Sequence, residues 1–344
     1  MQPFIQLMLV LWTALVWLGL SSLTVHAHNG STRPLFGPYK HVNMAMLNDG
    51  ITITGQYQGQ TQALSNGKQS ILPKGVTALS LAFASGECAE EHWGGIPAQK
   101  LIDANLQKLA DAGIPYIIST GGEGGVFTCN TDAGFERFLS RYASPALLGF
   151  DFDIEATQTE AMIFELVRRV QVAEATHPAM RFSFTLATFA SSDGSGASLN
   201  ATGNTVLQAL QNIGVKNYII NLMVMNYGPA ERKNCVVRKD RCDMAASAEQ
   251  AVKNLQAGYK LPTSQIAVTA MLGVNDVASN VFTQKDAKRL ARYASRHQLA
   301  GLHYWSLDRD KPCDHNATNL SPVCSSLNTV PFHGFMQAFL RGLR

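Results

Sequence analysis

Two periods alternate along the chain. Short apolar runs predict strands, and longer segments with apolar residues at three- and four-residue spacing predict amphipathic helices. Strands are expected over residues 41–47, 78–83, 116–119, 148–155, 182–186, 218–225, 266–272 and 301–305. Helices are expected over 97–112, 131–142, 157–175, 204–213, 245–257 and 282–297, with a last amphipathic one from Pro331. The segment 48–73 is polar and poorly periodic, and 190–203 reads as a loop rich in Gly, Ser and Asp. The strand midpoints recur about every 35 residues, with one stretched gap between the sixth and seventh. Eight βα units at that interval predict an α/β chain folded as a (β/α)8 TIM barrel, a single domain over 28–344. A doubly wound open sheet shares the alternation but would want a Gly-rich phosphate fingerprint, which the chain lacks.

The fourth strand is unusual. Asp151, Asp153 and Glu155 share one face, and Phe150, Phe152 and Ile154 share the other. In a barrel the bulky apolar face packs on helices, which turns the three acids inward. The plain alternative, a half-buried strand showing its acids to water, would leave the phenylalanines the core and the acids solvated. Carboxylates on one strand face stand about 6.5–7 Å apart, so three of them cannot all ionise freely and at least one pKa must rise. A carboxyl kept protonated near neutral pH can serve as a general acid.

Reacting groups in such barrels gather at the C-terminal ends of the strands. There the sixth strand offers Met225, Asn226 and Tyr227, the eighth ends in Trp305, and the third runs into Gly121 and Gly122. An indole at a barrel mouth can floor a sugar ring, and a tyrosine hydroxyl can grip a carbonyl. Paired glycines can let a backbone approach the acidic strand closely. Each also has an ordinary reading, as core or as a turn.

Composition narrows the picture. The formal net charge of the 344-residue chain is +3 and no long basic run occurs, which argues against a nucleic-acid partner. Residues 4–20 are apolar and uncharged, and Val25-His26-Ala27 ends in a small residue. This predicts a signal peptide over 1–27 and a secreted protein, extracellular or periplasmic. The n-region carries no Lys or Arg, so an uncleaved anchor is the alternative; no later apolar run is long enough to span a bilayer. Six cysteines in an exported chain suggest disulfides. Cys235 with Cys242 and Cys313 with Cys324 would close short loops, leaving Cys88 with Cys129, although six cysteines permit other pairings. No CxxC spacing supports a zinc site, and no metal is expected.

Taken together, these residues resemble glycoside hydrolase family 18, the chitinases built on a (β/α)8 barrel. The family pattern D-G-x-D-x-D-x-E is matched at Gly149, Asp151, Asp153 and Glu155, and S-x-G-G at Ser119, Gly121 and Gly122. The M-x-Y motif is matched at Met225 and Tyr227, and the closing tryptophan at Trp305. Three further segments resemble a bacterial and archaeal chitinase branch: 36–39 with Tyr39, Trp93-Gly94-Gly95, and 271–276. The resemblance covers about residues 36–312. Leu148 replaces the first signature acid, and Asn226 stands where many relatives carry Asp. Both departures bear on the charge around Glu155.

The resemblance implies retaining, substrate-assisted hydrolysis of β-1,4 links between N-acetylglucosamine units, through an oxazolinium formed by the substrate's own acetamido group. It implies Glu155 as acid and then base, Asp153 on the acetamido N–H, Asp151 sharing a proton with Asp153, and Tyr227 on the acetamido oxygen. Trp305 would stack beneath the ring, with Met225, Asn226, Gly122 and Tyr39 lining the substrate. The expected partner is chitin or a chitooligosaccharide bound by a monomer, with no cofactor. The interval between strands seven and eight is one ordinary βα unit, which predicts an open, endo-acting cleft. An endo-β-N-acetylglucosaminidase acting on N-glycans shares fold and motif. A non-catalytic chitin-binding lectin would usually have lost Glu155.

Overall fold

The computed structural model describes residues 33–57, 59–155, 157–313 and 320–344. The expected signal segment lies outside them. Eight parallel strands close a barrel: β1 (Leu35–His41), β2 (Leu79–Ala84), β3 (Tyr116–Gly121), β4 (Leu147–Ile154), β5 (Arg181–Ala187), β6 (Tyr218–Met223), β7 (Ile266–Met271) and β8 (Gly301–Trp305). Each strand pairs with its neighbour in sequence, and β1 pairs with β8 to seal the ring. The helices are α1 (Ala98–Asp111), α2 (Asp132–Arg141), α3 (Glu160–Thr176), α4 (Ala201–Ile213), α5 (Met244–Tyr259), α6 (Gln284–Arg296) and α7 (Gly334–Leu343). Polar residues start several of them: Thr131, Thr159, Asn200, Asp243 and Thr283 each accept a bond from the first turn of the helix that follows.

Two expectations are corrected. The first strand lies at Leu35–His41 rather than 41–47, where the chain instead makes a single 3-10 turn over Val42–Met44. Gly37 and Pro38 read as breakers in sequence. In the barrel Pro38 closes the stretch paired with β8, and pairing with β2 begins at Tyr39, so the missing N–H falls at the handover. Nor are there eight helical crossovers. Between β1 and β2 the described residues form hairpins, Thr54–Tyr57 with Gln60–Ala63 and Ser65–Asn66 with Gln69–Ser70. This is the segment with no helical period. α7 covers the seam instead: the Phe339 ring lies 5.7 Å from Phe36 of β1 and 5.4 Å from Tyr304 of β8.

The alternation on β4 turns out as the pattern implied. Phe150 and Phe152 are fully buried and face α2, with Phe138 4.9 Å from Phe150 and Phe135 6.1 Å from Phe152. The opposite faces of the strands line the barrel with polar groups. Tyr39, Ser119, Asp151, Asp153, Ser183, Thr185, Asn221, Thr269 and His303 are all buried. Burial of so many polar atoms is tolerable because most of them bond to one another.

Three disulfides form, Cys88–Cys129, Cys235–Cys242 and Cys313–Cys324, the pairing that loop length suggested. Between β7 and β8 the chain makes only a short hairpin, Gly273–Val274 with Val281–Phe282, and then α6. No helix among the described residues is long and apolar enough to cross a membrane.

Candidate active site

Asp151 sits at the centre of the barrel and is saturated with hydroxyl donors. Tyr39 (2.9 Å) and Ser119 (2.7 Å) donate to Oδ2, while Ser183 (2.7 Å) and Thr185 (2.8 Å) donate to Oδ1. The register explains this: Ser119 on β3 and Ser183 on β5 stand directly beside Asp151. Behind these hydroxyls, Asn221 donates to Tyr39 Oη and to Thr185 Oγ1, and accepts from Thr269. Burial pushes the Asp151 carboxyl up, and the four hydroxyl donors pull against that.

Asp153, next on the same face, is buried with Oδ1 lacking any hydrogen-bond partner. Burial raises its pKa well above the carboxylate range, and the charges of Glu155 and Asp151 raise it further. Glu155 follows the last residue of β4 and is only half-buried. Its pKa rises to about 7, first through burial, then through Glu123 in the loop after β3 and Asp276 in the loop after β7. The three acids thus grade outward, from a buried carboxyl caged by hydroxyls at 151 to a half-buried, proton-holding carboxyl at 155.

The two glycines after β3 serve the acidic strand and its neighbour. A side chain at Gly121 would stand 2.2 Å from the Asp153 carbonyl oxygen, and Gly122 N–H donates to that same oxygen at 3.2 Å. A side chain at Gly122 would stand 2.6 Å from the Phe83 ring, and its φ is +79°. Phe83 stacks on Trp305 with centroids 5.5 Å apart and planes at 18°. Trp305 also lies 6.3 Å from the Tyr39 ring, whose hydroxyl reaches Asp151. The indole and the acidic strand are therefore tied through Tyr39.

Tyr227 is buried, and its hydroxyl has no hydrogen-bond partner. Met225 before it is half-buried, and Asn226 is exposed with φ +50°. Asn226 Nδ2 donates to Asp276 Oδ2 at 2.6 Å, so the asparagine found in place of an acid faces an acid across the cleft rim. An aspartate there would set two carboxylates against each other.

Sequence reading missed Glu123, Asp276, Phe83, Asn275 and Asn280 as contributors. All but Phe83 lie on loops, where no periodicity marks a side chain. The only sequence signals were proximity to Gly121 and Gly122 for Glu123, and the 271–276 segment for Asn275 and Asp276.

No family model matches the chain. Among characterised proteins it is 26% identical over 251 residues to a probable bifunctional chitinase/lysozyme of Escherichia coli, a match covering 69% of this chain and 28% of that protein. It is 25% identical over 231 residues to endochitinase 11 of Metarhizium anisopliae, covering 62% of this chain and 44% of that protein. The chain thus spans less than half the length of either relative. Among solved structures, the catalytic domain of a hyperthermophilic chitinase from Pyrococcus furiosus superposes with a TM-score of 0.63 at 25% identity, covering 89% of this chain and 96% of that one. Catalytic-site mutants of active domain 2 of a P. furiosus chitinase, complexed with chito-oligosaccharides, share the fold with a TM-score of 0.64 at 23% identity, over 90% and 96% of the two chains. In barrel, motif order and sequence the chain is thus similar to these chitinases, as its resemblance to glycoside hydrolase family 18 implied.

Proposed function

We propose that the protein is a secreted, monomeric endo-chitinase of a single catalytic domain over 28–344, hydrolysing β-1,4 links between N-acetylglucosamine units with retention of configuration. The observation that carries this reading is Glu155: a carboxyl just beyond the end of β4, held protonated up to about pH 7 by burial and two flanking acids.

Glu155 donates its proton to the glycosidic oxygen. The acetamido carbonyl oxygen of the sugar on the non-reducing side attacks the anomeric carbon, and the leaving chain departs with the proton. Asp153 faces the acetamido N–H. The positive charge developing on the oxazolinium offsets the repulsion that keeps Asp153 protonated, so its proton passes to Asp151, one of whose four hydroxyl donors turns away. The anionic Asp153 then stabilises the ring. The buried, unpartnered Tyr227 hydroxyl supplies a hydrogen bond to the acetamido oxygen, and Trp305, braced by Phe83, supports the sugar face. Glu155 finally takes a proton from water, which opens the oxazolinium on the same face. Gly122, Met225, Asn226 and Tyr39 line this end of the barrel.

The absence of an insertion between β7 and β8 supports an open cleft and internal cleavage. The reading is tested by product analysis on chitohexaose beside a high-mannose glycopeptide. Release of mixed shorter oligomers from the hexamer with the glycopeptide intact is expected. Cleavage of the glycopeptide core alone would overturn the substrate, and dimers released from one end only would overturn internal cleavage.

A further inference from the structure

The turn bearing Tyr227 is fastened by side chains from the loop after β7. Asn280, fully buried, accepts from Tyr227 N–H at 2.8 Å through Oδ1 and donates to the Gly228 carbonyl at 3.0 Å through Nδ2. Asn275, also fully buried, accepts from Asn226 N–H at 3.3 Å and anchors itself on the carbonyls of Met271 and Gly273, both at 3.1 Å. Asn226 answers by accepting from Val277 N–H at 3.2 Å. The two loops are thus laced by backbone-to-amide bonds on both sides of the tyrosine.

The tyrosine ring gains nothing at its far end, where the hydroxyl is buried without a partner. Its placement therefore rests on the packing of the ring in the core and on the bonds of its backbone. Asn226 adopts a left-handed conformation that a free chain seldom holds; its own bonds to Asn275, Asp276 and Val277, and the bonds of Asn280 to Tyr227 and Gly228 just after it, hold the turn there. An amide at 280 is the group that satisfies both an N–H and a carbonyl at once; alanine satisfies neither, and aspartate satisfies the N–H only.

We propose that Asn280 is a positioning residue for the reaction, holding the Tyr227 hydroxyl where the acetamido oxygen arrives, with Asn275 bracing the same turn. The inference rests on the proposed chitinase reading and adds a residue to it. Misplacing a reacting contact by about 1 Å costs on the order of 100-fold in rate. The Asn280→Ala variant is expected to lose about 10- to 100-fold in kcat/KM on a fluorogenic chitobioside. In a Tyr227→Phe background, where no hydroxyl remains to be placed, the same change is expected to cost less than about threefold.

A second variant guards against misfolding. In Asn280→Asp the new carboxyl can donate to the Gly228 carbonyl only when protonated. Its kcat/KM relative to wild type is expected to fall as pH rises, and to stay flat with pH in the Tyr227→Phe background. Equal losses with and without the hydroxyl, or a pH trend identical in both backgrounds, would overturn the inference. Wild-type turnover in the same assay, abolished by Glu155→Gln, tests the chitinase reading separately.

Discussion

Glu123→Gln removes one charge beside the acid and leaves the shape of the loop nearly unchanged. The Glu155 carboxyl is lifted from 4.5 to about 7, with burial the largest cause and Glu123 the second. Burial is untouched by the substitution, and Glu123 is exposed, so solvent and salt trim its share. We therefore expect the Glu155 pKa to drop by about half a unit. In the mechanism proposed above Glu155 must be protonated to act, so activity is expected to be full below its pKa and lost as pH rises through it. Lowering that pKa moves the alkaline limb of kcat/KM toward lower pH. At pH 8 roughly 9% of a group titrating at 7 is protonated, against roughly 3% of one titrating at 6.5. The variant is expected to lose about threefold at pH 8 and nothing measurable at pH 5. The assay is kcat/KM on a fluorogenic chitobioside from pH 4 to 9. An alkaline limb that stays in place, or a uniform loss at all pH values, would refute the claim that Glu123 acts through the charge on Glu155.

Asp276→Asn is expected to shift the same limb in the same direction in that assay, since its carboxylate is the third cause of the Glu155 shift. Glu155→Gln keeps shape and hydrogen-bonding but not the proton, and is expected to lower kcat about 10²- to 10⁴-fold with KM little changed, read by steady-state kinetics. Gly122→Ala puts a methyl into the Phe83 ring at a positive φ. It should cost about 1–3 kcal/mol in urea unfolding and raise KM by disturbing the Trp305 brace. Replacing Cys88 and Cys129 by alanine opens a loop spanning 41 residues in sequence and should cost about 4 kcal/mol by the chain-entropy model, measured from the denaturation midpoint.

The parts of this molecule that repeat were legible before any coordinates. Strict alternation from Phe150 to Glu155 announced both the orientation of β4 and its acids, because a two-residue period and an apolar outer layer admit one arrangement. The seven helices show the same link between spacing and buried stripe. β1 was misplaced because Gly37 and Pro38 interrupt its pattern, and only pairing with two different neighbours reveals why a proline is tolerated there. The hydroxyl cage of Asp151 draws Tyr39, Ser119, Ser183 and Thr185 from three strands. No local window of sequence contains it. The Asn275 and Asn280 lacing was invisible for a related reason: asparagines in a loop look like turn residues until the loop opposite is known.

The seam between β1 and β8, roofed by α7, brings together the two ends of the described chain. As the chain leaves the ribosome, β1 therefore waits with one bare edge until β8, the last strand of the ring, has been made. Such an edge invites pairing with a foreign strand. The assembly of the catalytic ring is consequently a late event, and a chaperone or export factor that shields residues 35–41 would act on its most vulnerable interval. Cutting the chain before Gly301 should leave a species with two bare edges, prone to aggregate rather than a smaller enzyme.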